Sequence, residues 1–442
     1  MSPMPWRIVV VTDLGVENGS PAAVAAHGAD AFLGALGLSV ALPGGKSHPV
    51  PSLDALSPAA LSAALGGATG TAVDAVLHDP KVQKLEGAWR GLKLLASHLA
   101  EPATLEVLSA PRASLVARFR DAIHGPAMDS GDNLTLVVLD YDFTHKASDV
   151  ADLAAIGAMA AELQACVVGN AHAGILDLRF LVQAAALQEV ATKLNSPAHA
   201  GFAALQKSDD ARWLSLTLNR FLLREPWTSA HTEACTESNP DTYLWGRGVW
   251  LVAAATIRSI AAHGHALDLS GAGGRFSELP TRPYPVKTNE SQALATEIPF
   301  AEMQMLLLAH GAFAPLVGPL NRDEVNLPLV TTLHRLGPSK LTLEGTLAYQ
   351  LTAGRFAQAC GAMLGEAPAG AADDATAAWL LKRLRADLGG LMKDAGDDAL
   401  TVAMETDEAG ERTAIVTLKP AVTLEGKNPE FVLALPVAGN TP

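Results

Sequence analysis

Hydrophobic residues between Leu77 and Leu99 recur every three or four positions, the spacing of one face of an α-helix. Pro80 suits the first helical position, and Asp79 suits the capping position before it. We call this segment the motif helix. Its predicted apolar stripe consists of Val82, Leu85, Trp89, Leu92, Leu95 and Leu99.

The centre of the motif helix, Trp89-Arg90-Gly91, distinguishes it from a generic amphipathic helix. Trp89 falls in the apolar stripe, so we expect it to be a packing anchor. Glu86 and Arg90 lie four residues apart, and this spacing predicts an ion pair on the exposed side of the helix.

Short elements separated by turns precede the motif helix. Arg7–Thr12 is typical of a buried strand, and Leu38–Leu42 is a second strand candidate. The Ala-rich stretch Pro21–Leu36 predicts a helix, and another helix is expected to start at Ser57. The small residues Gly66–Gly70 form a predicted linker.

Strands and helices alternate after the motif helix. We expect strands at Leu105–Leu108, Leu134–Tyr141 and Ala165–Val168, with helices at Ala113–His124 and Asp149–Leu163 between them. This alternation predicts a mixed α/β fold, in which Ala-rich helices pack on mixed sheets.

The C-terminal half predicts long helices followed by strands. Tyr243–His265 is expected to be one long helix that includes Trp245. A flexible break is expected at Gly365–Ala372, followed by a second helix at Ala375–Lys393. The tail from Ala399 predicts three strands with a turn near Gly410. We therefore expect three parts, at 1–66, 70–365 and 373–442.

Composition narrows the class of protein. The chain of 442 residues is 49% apolar and 18% charged, as in globular proteins. A net charge of −14 without a long basic run argues against nucleic-acid binding. We find no uninterrupted apolar stretch of about 20 residues, so we expect no membrane insertion and a cytoplasmic location. Three scattered cysteines favour buried free thiols over a disulfide framework or a metal site.

Phosphate-binding loops are weakly suggested at two glycine clusters. Gly45 precedes Lys46 and Ser47 as in a P-loop, but the earlier glycine of that motif is replaced by Val40. Gly273 and Gly274 lie in a Gly-rich turn without a G-x-G-x-x-G pattern or a following helix. We therefore expect polar turns at both places and no bound cofactor.

Catalytic patterns of the common hydrolases and metalloenzymes do not occur: there is no GxSxG, HExxH, CxxC or SxxK motif. Asp209 and Asp210 are possible acid–base carboxylates. The nearby Arg212, Arg220 and Arg224 make a structural charge network the favoured interpretation. We predict no catalytic or metal-binding residue.

Six stretches of the chain carry a joint resemblance to a known family. They are LHDPKVQKLEGAWRGLKLLASHL, SDDARWLSLTLNRFLLREPW, YLWGRGVWLVAAATIRSIAAHGHA, GAGGRFSELP, ATEIPFAEMQMLLLAHGAFAPLVG and IVTLKPAVTLEGKNPEFVLALP. Together they resemble the contractile-sheath large subunit of type VI secretion systems, the TssC or VipB family. The resemblance covers roughly residues 70 to 442, and no single motif would suffice.

The N-terminal residues 1–66 resemble the small sheath subunit, the TssB or VipA family. The similarity lies in PWRIVVVTDLG and VALPGGKSHPVPSLDALSPAALSAAL. The linker Gly66–Gly70 falls where the two resemblances meet. A fusion of two subunits would make their association intramolecular.

The resemblance implies a structural role without catalysis, in a helical tube that contracts and propels an inner tube. It implies as partners further copies of the chain or the small subunit, an inner-tube protein and a baseplate. Neighbouring subunits would be linked by strand exchange, with the tail after Ala399 and the strand Arg7–Thr12 as candidates. Pairing of both strands within their own chain is the open alternative.

Departures from the family pattern keep other functions open. Trp213, Asn219 and Arg247 stand where the family usually has Tyr, Pro and Asn. The segment carrying a helix read by the disassembly ATPase has little room here, which argues against that partner. Two alternatives to a sheath subunit stay open. One is a non-polymerising baseplate or accessory paralogue, and the other is an α/β enzyme that binds a ligand near Gly271–Gly274. The interface and structural candidates are Trp89, Arg90, Gly91, Arg212, Arg220, Arg224, Trp245, Gly273 and Gly274.

Overall fold

The computed structural model describes residues 4–186, 189–335, 337, 341–366, 371–393, 395–406, 412–424 and 426–437. The strands are β1 Trp6–Thr12, β2 Ala22–Val24, β3 Ser39–Leu42, β4 Lys46–Pro49, β5 Ala103–Ser109, β6 Leu136–Phe143, β7 Cys166–Ala171, β8 Leu214–Leu218, β9 Arg220–Leu222, β10 Trp245–Arg247, β11 Arg275–Phe276, β12 Arg282–Lys287, β13 Glu290–Leu294, β14 Ala314–Pro315, β15 Val325–Asn326, β16 Leu400–Thr406, β17 Arg412–Leu418 and β18 Phe431–Val437. The α-helices are α1 Ala29–Ala35, α2 Pro58–Ala64, α3 Thr71–Leu77, α4 Pro80–His98, α5 Leu115–Phe119, α6 Gly125–Ser130, α7 Ala147–Leu163, α8 Val190–Leu194, α9 Ala200–Lys207, α10 Val249–His263, α11 Glu302–His310, α12 Leu347–Gly365, α13 Asp373–Asp387 and α14 Gly389–Met392.

A seven-stranded sheet in the order β14-β8-β7-β6-β1-β5-β2 forms the centre of the fold. Its strands run parallel except β2, which pairs antiparallel with β5. Helices cover both faces of the sheet, so the predicted mixed α/β class is confirmed.

The strand β1 is an interior strand of this sheet, between β5 and β6. Ile8 pairs with Leu105 of β5 on one side and with Leu136 of β6 on the other. Of the two alternatives for this strand, exchange with a neighbouring subunit or pairing within its own chain, the structure shows the second, because both of its edges pair with strands of the same chain.

Alternate residues of β1 enter two separate cores. Ile8 and Val10 pack in the core that contains α4, α10 and α12, whereas Val9 and Val11 pack in the core beneath α5, α7 and α9. All four side chains are fully buried. A run of apolar residues therefore marks a strand covered on both faces.

The C-terminal tail forms a separate antiparallel sheet in the order β16-β17-β18, as the three predicted strands required. Helix α13 packs against β16, and α12 packs against β18. The predicted break at Gly365–Ala372 includes residues 367–370, and the turn near Gly410 includes 407–411. Both sets lie outside the described residues.

Two predicted helices are wrong in part. In Pro21–Leu36, Ala22–Val24 forms an edge strand on β5, and the helix begins only at Ala29. In Tyr243–His265, the helix begins at Val249, because Trp245–Arg247 pairs with β9. Sheet pairing outweighs intrinsic helix propensity at both places, even at alanines, which favour helix most.

Candidate functional site: the junction around the motif helix

The motif helix is α4, and it begins as the sequence predicts. Pro80 is its first residue, and the Asp79 side chain accepts a hydrogen bond from the backbone N–H of Lys81 at 2.8 Å. Leu77 instead ends the preceding helix α3. The buried stripe faces the core and includes Val82, Leu85, Trp89, Leu92 and Leu95.

Trp89 links the motif helix to the N-terminal part of the chain. The residue is fully buried, and its Nε1 donates to Asp30 Oδ1 of α1 at 2.7 Å. Lys93 donates to the other oxygen of Asp30 at 2.8 Å. The hydrogen bonds from Lys93 and Trp89 lower the pKa of Asp30. Trp89 is thus the packing anchor that the sequence predicts, with a polar contact to α1 in addition.

Gly91 allows helix α10 to approach the motif helix closely. A Cβ atom at this position would lie 2.4 Å from two ring carbons of Trp250. Trp250 is itself buried in α10, so its ring has little space to move. Glycine is required here because of this helix–helix contact, which the sequence pattern did not reveal.

Glu86 forms the predicted pair with Arg90, with 2.8 Å between Oε1 and the guanidinium Nε. The prediction placed this pair on the exposed side, and that is wrong, because Glu86 is 2% exposed. The same oxygen accepts from Nε of Arg224 at 3.0 Å, across 138 residues of sequence. The pair is therefore part of a buried network.

Arg224 binds a second buried carboxylate, that of Glu237, through two hydrogen bonds of 2.6 and 2.9 Å. Burial alone would raise the pKa of Glu237, but the bonds from Arg224, His78 and the Trp227 amide lower it to about 2. Likewise, burial lowers the pKa of Arg224, but Glu237 and Glu86 outweigh that effect and raise it. Glu237 is therefore expected to be charged, and the network joins α4 to the two segments that follow β9.

Arg247 of β10 binds two carboxylates on the central strand β6. Its guanidinium lies 3.0 Å from Asp140 Oδ1 and 2.8 Å from Asp142 Oδ2. Asp140 also accepts a hydrogen bond from the Thr12 hydroxyl at 2.9 Å, at the end of β1. Burial raises the pKa of Asp140, and the charge of Arg247 opposes this effect. The arginine that departs from the family pattern thus joins β10 to the main sheet.

The segment around Trp245 is held by two arginines. The guanidinium carbons of Arg220 and Arg282 lie 5.5 and 5.6 Å from the Trp245 ring centroid. The indole Nε1 donates to the Pro240 carbonyl at 2.8 Å. Arg220 also pairs with Glu297 at 2.7 Å. The Trp245 ring on β10 therefore has two guanidinium groups within cation–π distance.

The predicted network of Asp209 and Asp210 with three arginines is wrong. Arg212 contacts the exposed Asp209 at 3.4 Å. Arg220 and Arg224 bind the other carboxylates described above, and these lie on different segments. The three arginines are close in sequence but bind different carboxylates: Arg212 binds Asp209, Arg220 binds Glu297, and Arg224 binds Glu86 and Glu237.

Gly273 and Gly274 are needed for backbone packing. A Cβ atom at Gly273 would lie 2.3 Å from the Asp268 carbonyl oxygen, and one at Gly274 would lie 2.6 Å from the Leu269 carbonyl oxygen. The Gly273 carbonyl accepts a hydrogen bond from Arg258. These close contacts account for both glycines without a phosphate ligand.

Asn219, where the family usually has proline, adopts a left-handed backbone with φ of 87°. Its side-chain amide donates to the carbonyls of Ile298 and Leu316 at 2.9 and 3.0 Å. Its side-chain oxygen accepts from the Arg220 amide at 3.0 Å. Proline cannot adopt this φ, so the departure reflects a different local backbone.

Comparison with known proteins identifies the class. Residues 63–333 match the family VipB, described as EvpB/VC_A0108, tail sheath N-terminal domain. Because the match spans more than half of the chain, the chain belongs to this family of tail sheath proteins.

A curated relative is the type VI secretion system sheath protein TssC1 of Pseudomonas aeruginosa. It is 24% identical over 290 residues, which cover 59% of this chain and 58% of the relative. The chain thus matches less than two thirds of the relative's length.

Two solved structures show remote likeness. One is the baseplate of the anti-feeding prophage, with a TM-score of 0.41, 13% identity and coverage of 79% of this chain and 77% of that chain. The other is the sheath tail protein Lin1278 of Listeria innocua, with a TM-score of 0.36, 11% identity and coverage of 70% and 58%.

Proposed function

We propose that this protein is a non-catalytic structural subunit of a contractile sheath, of a type VI secretion system or a related injection apparatus. The observation that carries the proposal is the family match over residues 63–333. The matched region contains the motif helix, Arg224 and Arg247, whose contacts form the junction described above. Their side chains pack in the core or form ion pairs, and such contacts make a subunit rigid, as a sheath that transmits force requires.

Assembly through the C-terminal sheet is part of this proposal. Among the described residues, β16 and β18 each pair with β17 and leave their outer edges without a strand partner. Val432 on β18 is an apolar residue with 58% of its surface exposed. An open edge with an exposed apolar residue favours addition of a strand from a neighbouring subunit.

The N-terminal part supports a fused arrangement of the small-subunit-like and large-subunit-like regions. Its strand β1 is an interior strand of the main sheet, between β6 and β5, and its Asp30 binds Trp89. We propose that residues 1–66 do in one chain what the small subunit does in two-chain sheaths. The domain boundaries at 66, 70, 365 and 373 remain predictions.

The expected partners are copies of this chain, an inner-tube protein and baseplate proteins, in the cytoplasm. None of the helices within the described residues is both long and apolar enough to span a membrane. A head-to-tail contact that repeats from subunit to subunit, without closing into a ring, would produce a helical tube.

Negative-stain electron microscopy of the chain co-expressed with its neighbouring genes tests the proposal. We expect tubes or stacked rings. A chain that stays monomeric at high concentration with all these partners present would disprove the sheath role.

The edge contact is tested with Val432→Lys, because a charge on an edge strand opposes strand addition. Val182→Lys is the matched control, since Val182 is a valine 53% exposed on another part of the molecule. We expect V432K to remain folded but to form fewer or shorter tubes than V182K. Equal assembly of the two variants would exclude the β18 edge as the linkage.

A further inference from the structure

Three side chains from separate loops converge at the carboxyl ends of β6 and β7. His145 lies between β6 and α7, Asp177 follows the 3-10 turn after β7, and His199 ends the turn before α9. Nε2 of His145 is 2.6 Å from Asp177 Oδ1, and Nε2 of His199 is 3.8 Å from Asp177 Oδ2. One donor atom from each residue lies within 4.8 Å of the other two.

The arrangement around His199 is built into the fold. The residue is 0% exposed, and its Nδ1 lies 3.0 Å from the Ser196 hydroxyl. Its Nε2 lies 3.0 Å from the carbonyl oxygen of Ile175. The imidazole rings of His199 and His145 are 4.1 Å apart between centroids, at 34°. Two imidazoles therefore face one carboxylate, with a carbonyl oxygen beside them.

We propose that His145, Asp177 and His199 form a binding site for a divalent transition-metal ion, with Zn²⁺ the best match. Two imidazole nitrogens and one carboxylate oxygen are a donor set that zinc takes in proteins. In the ion-free chain, Nε2–H of His199 donates to the Ile175 carbonyl. With an ion bound, the ring proton sits on Nδ1 and is donated in a hydrogen bond to the Ser196 hydroxyl, which leaves the lone pair of Nε2 for the ion.

The distances are compatible with one ion after a small closure. In a tetrahedral zinc site with ligand distances of about 2 Å, neighbouring donor atoms are about 3.3 Å apart. Donors within 4.8 Å must then move together by about 1.5 Å or less. The Asp177 side chain is 43% exposed and can make this adjustment. The Ile175 carbonyl, already beside Nε2 of His199, is placed to be a fourth donor.

The ammonium group of Lys193 already forms an ion pair with Asp177. Nζ of Lys193 lies 3.6 Å from Asp177 Oδ2. Metal binding would weaken this pair, and the exposed Asp177 gives the ion a path from solvent. The bound ion would connect the loops after β6 and β7 to the turn before α9. This site lies at the carboxyl ends of the parallel strands, where α/β proteins commonly bind ligands.

Calorimetric titration of the full chain with ZnCl₂ tests the site, after removal of any affinity tag and treatment with chelator. We expect one equivalent to bind and the melting temperature to rise. His145→Gln and Asp177→Asn should each weaken binding about tenfold or more, because each removes a ligand.

His124→Gln is the matched control. His124 makes the same 2.6 Å contact, to Glu162, but among the described residues it is not in a group of three ligands. The three variants should fold like the wild type without metal, as judged by circular dichroism. Failure of the wild type to bind one equivalent of Zn²⁺, or wild-type affinity in both H145Q and D177N, would overturn the proposal.

Titration with Co²⁺ gives a second readout, since its visible absorption reports the ligands directly. We expect absorption bands of a nitrogen- and oxygen-ligated site in the wild type and in H124Q, and their loss in H145Q. Bands that persist in H145Q would place the ion at other histidines and overturn the assignment.

Discussion

Gly91 of the motif helix lies against the ring of Trp250, so closely that a Cβ atom there would be 2.4 Å from two ring carbons. This contact sets how near α4 and α10 approach each other. It turns a glycine, usually unfavourable within a helix, into a requirement for packing.

Gly91→Ala should lower the free energy of unfolding by roughly 1–3 kcal/mol or more, because the added methyl group overpacks a core with little freedom to adjust. The control is Gly87→Ala in the same helix, where the nearest atom to the new Cβ is 3.7 Å away on Leu223. That variant should be neutral or more stable by roughly 0.5–1 kcal/mol. Urea unfolding measures both, and equal stability of the two variants would contradict the packing argument.

Glu237 should make stability depend on pH in the acid range. Its pKa in the fold, about 2, is below the ordinary value of 4.5, so the charged form stabilises the fold above pH 4.5. That contribution, roughly 3 kcal/mol by linkage, should be lost as the pH falls from 4.5 towards 2.

Glu237→Gln isolates this effect. The variant should be less stable at neutral pH, and its stability should fall less steeply with acid than that of the wild type. Glu225→Gln is the control, because the Glu225 side chain is 64% exposed and, among the described residues, forms an ion pair only with His231. Parallel pH profiles for wild type and E237Q would disprove the assigned pKa.

Arg247→Asn, which introduces the usual family residue, should destabilise this chain. It leaves the carboxylate of Asp140, 7% exposed, without its cation, at a cost of roughly 3–5 kcal/mol. Adding Asp140→Asn should recover part of the loss, since the buried charge is then removed as well. Arg212→Asn, which breaks an exposed pair, should change stability by less than about 1 kcal/mol. Chemical unfolding of these three variants and of the wild type measures the losses, and a loss in R247N no larger than in R212N would contradict the prediction.

Asn219→Ala should cost more stability than Asn219→Gly. Both lose the side-chain hydrogen bonds, but alanine at φ of 87° adds backbone strain of roughly 1–2 kcal/mol. Asn219→Pro should be the least stable, because the proline ring excludes a positive φ. Thermal unfolding of the three variants gives the order, and a proline variant as stable as the glycine variant would show that the left-handed backbone is not required.

Local patterns predicted much of the fold. The cap at Asp79, the stripe through Trp89, the strand at β1 and the three tail strands all follow from residues within a few positions of one another. The mixed α/β class followed from their alternation. Trp245 was placed in the wrong element, because pairing with β9 outweighed the helical pattern.

The sequence by itself determined the elements, the resemblance to sheath proteins and the importance of the Trp89-Arg90-Gly91 centre. Only the tertiary structure decided what that centre contacts: Trp250 at Gly91, and Arg224 at a Glu86 that the helical pattern placed in solvent. It also brought together His145, Asp177 and His199, whose spacing matches no metal motif. The physical reason is distance along the chain, since helical and strand periods report neighbours a few residues away, whereas these contacts join segments tens to more than a hundred residues apart.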